Sequence, residues 1–259
     1  MTASLAGRKV LVVGAGTRAS DDPDAPVGNG RAIAVAAGRA GATVVCADLD
    51  GDAASATAAL VAAEGATAHV LTADVTDEAA CAALVHDATT AMGGLDGLVC
   101  NVGIGKGALI TGTTAQQWDE VFAVNVRSHF LLTAAALPAM GPGGAIVYIS
   151  SIAGLTAGTR SPAYDSSKAA ITGLCRQAAM EGARRGIRVN AVAPGLIDTP
   201  MGRVASGGRP SRDKAPVPLG RQGTAWDVAA PVVFLLSDEA GYITSQLLAV
   251  DGGLTGCRG

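Results

Sequence analysis

Apolar and polar positions along the chain sort into two alternating patterns. Short runs rich in β-branched residues appear at 9–14 (KVLVVG), 42–48 (ATVVCAD), 67–74 (TAHVLTAD), 95–101 (LDGLVCN), 144–151 (GAIVYISS), 186–195 (GIRVNAVAPG) and 246–253 (QLLAVDGG). Most are nearly continuous in apolar residues, as strands are when helices cover both faces of a parallel sheet. Between them, stretches near 30–40, 52–64, 76–91, 114–138, 162–185 and 225–237 carry a helical period. Strand–helix alternation over the whole length, with right-handed crossovers, predicts a single α/β domain over 1–259: a doubly wound parallel sheet of about seven strands. The segment 200–223 (MGRVASGGRPSRDKAPVPLGRQG) has no clear period. It follows a strand end, where ligands of open α/β sheets bind, so it is expected to be a substrate lid.

Composition narrows the class. The 259 residues are 49% hydrophobic with 3% aromatics, so the core must be built from Ala, Val, Leu and Ile. The net charge is −3 and no Lys/Arg run occurs, which argues against nucleic acid or an anionic membrane as the main partner. No window is expected to reach the roughly 20 apolar residues of a membrane span, and MTASLAGRKV lacks the apolar core of a signal sequence. The five cysteines (46, 81, 100, 175, 257) contain no C-x-x-C pair and read as small hydrophobes in a reducing compartment. These features predict a soluble cytoplasmic protein. No metal is expected, because His69, His86 and His129 show no ligand spacing with one another or with the cysteines.

The first chemical signal is VVGAGTRASDDPDAPVGNGRAIA, residues 12–34. Gly14, Gly16, Gly28 and Gly30 follow a strand and precede a helix, the context in which a glycine cluster suggests a Rossmann dinucleotide loop. Glycines allow the tight turn and let backbone N–H groups approach a pyrophosphate at the helix N-terminus; Thr17 and Asn29 lie in the same loop. Asp48, at the end of the second strand, is placed to accept hydrogen bonds from the adenosine ribose and to repel a 2′-phosphate. Leu49 follows it with no basic residue at 49–51, so NAD is favoured over NADP. Arg18 argues the other way, against three neighbouring carboxylates, Asp21, Asp22 and Asp24. The ten residues Arg18 to Val27 interrupt the loop. They form either a simple exposed excursion, which costs little entropy, or a flap over bound cofactor.

The second signal is YDSSK, Tyr164 to Lys168, thirteen residues after Ser151. Residues at i and i+4 share one helix face. A free phenol has a pKa of about 10, too high for a base at neutral pH, and a neighbouring ammonium favours the phenolate. A serine hydroxyl alongside can hold the oxygen of an alcohol or carbonyl.

With these motifs in order, the chain resembles the short-chain dehydrogenase/reductases over residues 7 to 253. The landmarks are the glycine loop, Asp48, ADV (73–75), CNVG (100–103), Asn125 in VNV, Ser151, Tyr164, Lys168 and APGLIDT (193–199). The resemblance implies a general acid/base role for Tyr164, with Lys168 lowering its pKa and holding the nicotinamide ribose. It further implies that Ser151 polarises the substrate oxygen and that Asn125 anchors a water relay to Lys168. Asp74 and Val75 match positions that contact adenine, and Asn101 with Gly103 matches the turn beside the cofactor. Ile197 and Thr199, after Pro194 and Gly195, match contacts to the nicotinamide carboxamide, although Thr199 also reads as a helix cap. Val13 stands where the family usually has Thr, Cys100 and Val102 replace Asn and Ala, and Tyr148 replaces Asn. A homotetramer is implied too.

The expected activity is NAD(H)-dependent hydride transfer between nicotinamide and a secondary alcohol or ketone. Two alternatives stand beside it. An NADPH-dependent 3-oxoacyl-carrier-protein reductase shares every motif but would want a basic docking surface; LPAMGPGGA (137–145) has none, while Arg184 and Arg185 remain. A non-catalytic dinucleotide-sensing or scaffold protein would use the same fold. Segments 103–112 and 153–161, with the lid, would set the substrate.

Overall fold

The computed structural model describes residues 3–17, 24–156, 158–206 and 217–257. Seven parallel strands form the main sheet: β1 (Lys9–Val13), β2 (Thr43–Asp48), β3 (Ala68–Thr72), β4 (Gly97–Cys100), β5 (Ala145–Ile149), β6 (Arg188–Pro194) and, last in the chain, β9 (Leu247–Val250). Their order is β3-β2-β1-β4-β5-β6-β9, every pairing parallel. The strand order reverses between β1 and β4. That switch point opens a crevice at the carboxyl ends of the strands, where such sheets bind ligands.

The pleat decides what each face sees. Val10, Val12, Val44, Cys46, Val99 and Val147 point to one side and pack with α1 (Asn29–Arg39) and α8 (Ala225–Leu236). Leu11, Val13, Val45, Leu98, Ile146 and Tyr148 point to the other, against α3 (Glu78–Met92), α5 (Ser128–Ala139) and α6 (Pro162–Ala183). β4, β5 and β6 are buried residue by residue, which explains their unbroken apolar sequences. Helix starts follow side-chain chemistry. Asp50 caps α2 (Gly51–Ala63), Asp77 caps α3, and Thr114–Gln117 forms a capping box on α4 (Ala115–Phe122).

Three features depart from the sequence reading. The helix expected over 114–138 is α4 and α5 joined by a π-helical turn at Ala123–Arg127, where the Ser128 N–H reaches back to the Ala123 carbonyl. This continuous segment, Ala115–Ala139, is long and apolar enough by length and composition to cross a bilayer, contrary to expectation. Half of its most apolar window is buried, with α5 against α3 and α4 against α6, as in a core helix. Finally, the aperiodic 200–223 stretch contains α7 (Pro200–Ser206) and a short parallel pair, β7 (Ile197–Asp198) with β8 (Gly223–Thr224). The centre of the expected lid, 207–216, and Arg18, Asp21 and Asp22 of the loop interruption lie outside the described residues. At the far end of the interruption, Val27 is partly buried against the core.

Candidate active site

The glycine loop runs from β1 to α1 across the switch point. Gly14 has a φ of +81°, in the region that favours glycine, and a Cβ there would sit 3.0 Å from Val102. Its carbonyl accepts from Asn101 Nδ2 at 2.8 Å, which ties the end of β4 to the loop. The Gly14 and Ala15 N–H groups both donate to the Ala47 carbonyl, at 2.8 and 2.9 Å. Gly30 is demanded by contact: a Cβ would lie 1.8 Å from the Gly14 carbonyl oxygen. α1 can therefore start hard against the loop. Its N-cap, Gly28, supplies no side-chain cap, while the Gly28 N–H donates to Thr17 Oγ1 at 3.0 Å.

Beside this uncapped helix start lies Asn29 Oδ1, buried and, among the described residues, without a hydrogen-bond partner. A buried acceptor left unsatisfied is costly and calls for a partner. Asp48 is held at the opposite side of the loop, Oδ2 accepting from Gly16 N–H at 2.8 Å and Oδ1 from Asp50 N–H at 3.1 Å. A Cβ at Gly16 would meet that carboxylate at 2.8 Å. Leu49 is exposed and Val75 buried. Asp74 closes its own turn, accepting from the Thr76 N–H (2.9 Å) and hydroxyl (2.7 Å), which holds its pKa down. An open helix N-terminus, an orphaned acceptor and a fixed carboxylate at the end of β2 together fit a dinucleotide.

On the other side of the crevice, Ser151 follows β5 and caps the 3₁₀ turn Ile152–Gly154. Its oxygen accepts from the Ala153 N–H at 3.1 Å, leaving its proton to donate. Gly154 lets this turn press on α6, since a Cβ would lie 2.6 Å from the Lys168 carbonyl carbon. Ser150 Oγ reinforces the contact, donating to the Lys168 carbonyl at 2.8 Å. α6 starts with Pro162 in its first turn and carries Tyr164 and Lys168 one turn apart. The Lys168 ammonium is 5.7 Å from the Tyr164 ring centroid, donates to the Ile149 carbonyl at 2.9 Å, and is 3% exposed. Burial brings its pKa down to about 8. Gly103 faces it, where a Cβ would lie 3.1 Å from Nζ.

Asn125 sits on the π-turn, fully buried. Its Oδ1 accepts from Ile104 N–H (2.8 Å), and its Nδ2 donates to the Ile104 carbonyl and to Ser167 Oγ, both at 2.9 Å. Ser167 Oγ donates in turn to the Tyr164 carbonyl at 2.8 Å. The Asn125 side chain thus joins the loop after β4 to α6. Beyond β6, Gly195 allows the chain to cross Asp251, whose Cα would be 2.6 Å from a Cβ. Pro194 ends β6 and Ile197 is buried in β7. Thr199 Oγ1 accepts from the Gly202 N–H at 3.0 Å, so its cap reading is realised on α7.

Sequence reasoning missed the supporting residues: Ser150, Ser167, Gly154 and His129. His129 is fully buried, its ring tilted on Tyr148 at 5.7 Å and its Nδ1 3.1 Å from Ser128 Oγ. Burial first, and then the Lys168 charge, lower its pKa to about 3, so the imidazole stays neutral. Only the hydroxyls of Ser150 and Ser167, next to Ser151 and Lys168 in the chain, carried any signal for this group.

A glycine loop on a switch point, a carboxylate ending β2, and a Ser/Tyr/Lys set across the crevice define a nucleotide-dependent oxidoreductase site. Comparisons agree. A family profile described as enoyl-(acyl carrier protein) reductase matches residues 26–255. The 2-(S)-hydroxypropyl-CoM dehydrogenase 3 of Xanthobacter autotrophicus is 43% identical over 236 residues, 88% of this chain and 92% of that protein. The 3-oxoacyl-[acyl-carrier-protein] reductase FabG of Thermotoga maritima is 38% identical over 66% of this chain and 70% of its own. A candidate 2-deoxy-D-gluconate 3-dehydrogenase structure from Agrobacterium tumefaciens, with NADP bound, superimposes with a TM-score of 0.86 at 36% identity, covering 98% of both chains. The chain belongs to the short-chain dehydrogenase/reductase family.

Proposed function

We propose that the protein is an NAD(H)-dependent dehydrogenase/ketoreductase acting on a secondary alcohol or ketone. The observation that carries this reading is the buried Lys168 ammonium one helical turn from the Tyr164 phenol, at the mouth of the glycine-loop crevice. When bound, the nicotinamide supplies or accepts the hydride. The chain's own groups do the rest. Tyr164 exchanges the proton on the substrate oxygen, and Lys168 favours the phenolate by its charge. Ser151 donates to the same oxygen. Asn125 acts as a positioning residue, fixing Ile104 and Ser167 around Tyr164.

Asp48 supports NAD over NADP, because a 2′-phosphate would meet a carboxylate already held by Gly16 and Asp50. The relative structure that holds NADP keeps the opposite preference in play as an outcome of the test. In the carrier-protein reductase reading, Arg184 and Arg185 would help dock an acidic partner. The Arg185 guanidinium is spent on carbonyls closing α5, Leu137 and Met140 among them, which leaves that role to the exposed Arg184. The lid role of 200–223 is supported by Met201 and Val204, exposed apolar residues of α7. The tetramer is supported by exposed Trp118 and Phe130 on the α4–α5 face, and light scattering tests it. Side-by-side fluorescence titration with NADH and NADPH tests the cofactor: NADH is expected to bind much more tightly, and the reverse order overturns NAD dependence.

A further inference from the structure

The residue that ordinarily ties down this glycine loop with a hydroxyl is a valine here, Val13, and its side chain is buried in the core. A loop also interrupted by ten residues needs another restraint on the described side of the interruption. One hydroxyl supplies it from outside every motif. Thr57, midway along α2, is fully buried, and its Oγ1 lies 2.9 Å from the Ala15 carbonyl, between Gly14 and Gly16. A buried helical threonine normally turns its hydroxyl back on its own helix, and the Ala53 carbonyl is available at 3.1 Å. The hydroxyl has only one proton for these two acceptors.

Arg31 biases the arrangement. Its Nε, which can only donate, gives a hydrogen bond to the same Thr57 oxygen at 2.9 Å. Arg31 stands next to Gly30, in the first turn of α1, so the chain Arg31–Thr57–Ala15 clasps both ends of the loop to α2. The guanidinium is partly buried, which lowers its pKa, and among the described residues it has no carboxylate partner.

We infer that Thr57, oriented by Arg31, is a positioning residue for the dinucleotide: it fixes the Ala15 carbonyl and so holds the loop and the start of α1 in the arrangement that receives the cofactor. This rests on the dinucleotide reading of the loop. Thr57 touches no reacting atom and acts only through Ala15.

The test is NADH fluorescence titration of the full-length protein and of Thr57→Val, which keeps the shape and removes the hydroxyl. Thr57→Val is expected to bind NADH roughly three- to tenfold more weakly, the size of one lost hydrogen bond. Thr57→Ser is expected to restore affinity to within about twofold, because it returns the donor. A merely structural role would change the melting temperature and leave NADH affinity, read well below it, unchanged. That result, or a serine variant as weak as the valine one, overturns the inference. If Thr57→Val does not fold, Arg31→Met carries the test: about two- to fivefold weaker NADH binding supports the clasp, and wild-type affinity overturns it. Failure of the wild-type protein to bind either dinucleotide is a different result and removes the cofactor reading itself.

Discussion

Lys168 gives the most quantitative handle on the site. Its ammonium is buried to 3% exposure and donates to the Ile149 carbonyl, and burial lowers its pKa from 10.5 to about 8. That lowering corresponds to a penalty on the order of 3 kcal/mol for keeping the charge in the folded protein. The sign follows from proton counting. Between pH 8 and 10.5 the unfolded chain holds a proton on Lys168 that the folded chain has released, so stability from this group rises with pH through that window. Below pH 8 the penalty is nearly full; above 10.5 it is gone. Lys168→Met removes it at every pH. Placing both proteins in a Tyr164→Phe background keeps the phenol out of the comparison. Urea denaturation at pH 7.5 and 10 then isolates the lysine, because all other titrations are shared. The gap between lysine and methionine proteins is expected to move in favour of lysine by about 2 kcal/mol over that interval. Two parallel stability curves, with the gap constant within about 0.5 kcal/mol, would refute a buried, strained ammonium.

The cofactor loop makes two further predictions. Asp48→Ser removes the carboxylate that the proposed NAD mode sets against the ribose; unit charges about 4 Å apart repel by about 1 to 4 kcal/mol between bulk and surface dielectrics, so on that proposal paired titrations should show NADPH gaining roughly ten- to a hundredfold on NADH. Gly30→Ala forces a Cβ to 1.8 Å from the Gly14 carbonyl, and calorimetry should show a loss of at least about 2 kcal/mol together with loss of NADH binding. In Gly173→Ala, inside α6 with nothing within 4 Å of the new methyl, melting should instead rise by the equivalent of about 0.5 to 1 kcal/mol.

The parts of this protein legible from sequence are those whose cause is local. β4, β5 and β6 lie in unbroken apolar runs because burial on both faces removes alternation, while the edge strands β3 and β9 are only partly buried. Asp48, Tyr164 and Lys168 were readable because strand ends and i, i+4 spacing set where such side chains emerge. The π-turn at Ala123–Arg127 was not. AVNVR has an ordinary helical composition, and the extra residue is tolerated because Asn125 satisfies Ile104 and Ser167 from other parts of the chain. Thr57 was equally silent, since a threonine inside an Ala-rich helix carries no sign of a carbonyl 42 residues away. α7 hid in glycine-rich sequence, and its start is visible only through the Thr199 cap.

The central claim is that Tyr164 exchanges the substrate proton in a dinucleotide-dependent reaction. The direct measurement is a parallel screen of the wild-type protein and Tyr164→Phe, each with NAD over a panel of secondary alcohols, with NADH affinity recorded for both. The wild-type protein should reduce NAD with at least one alcohol. The phenylalanine variant should lose roughly 10²- to 10⁴-fold in rate while binding NADH within about twofold of wild type. Turnover that survives the substitution would contradict the account.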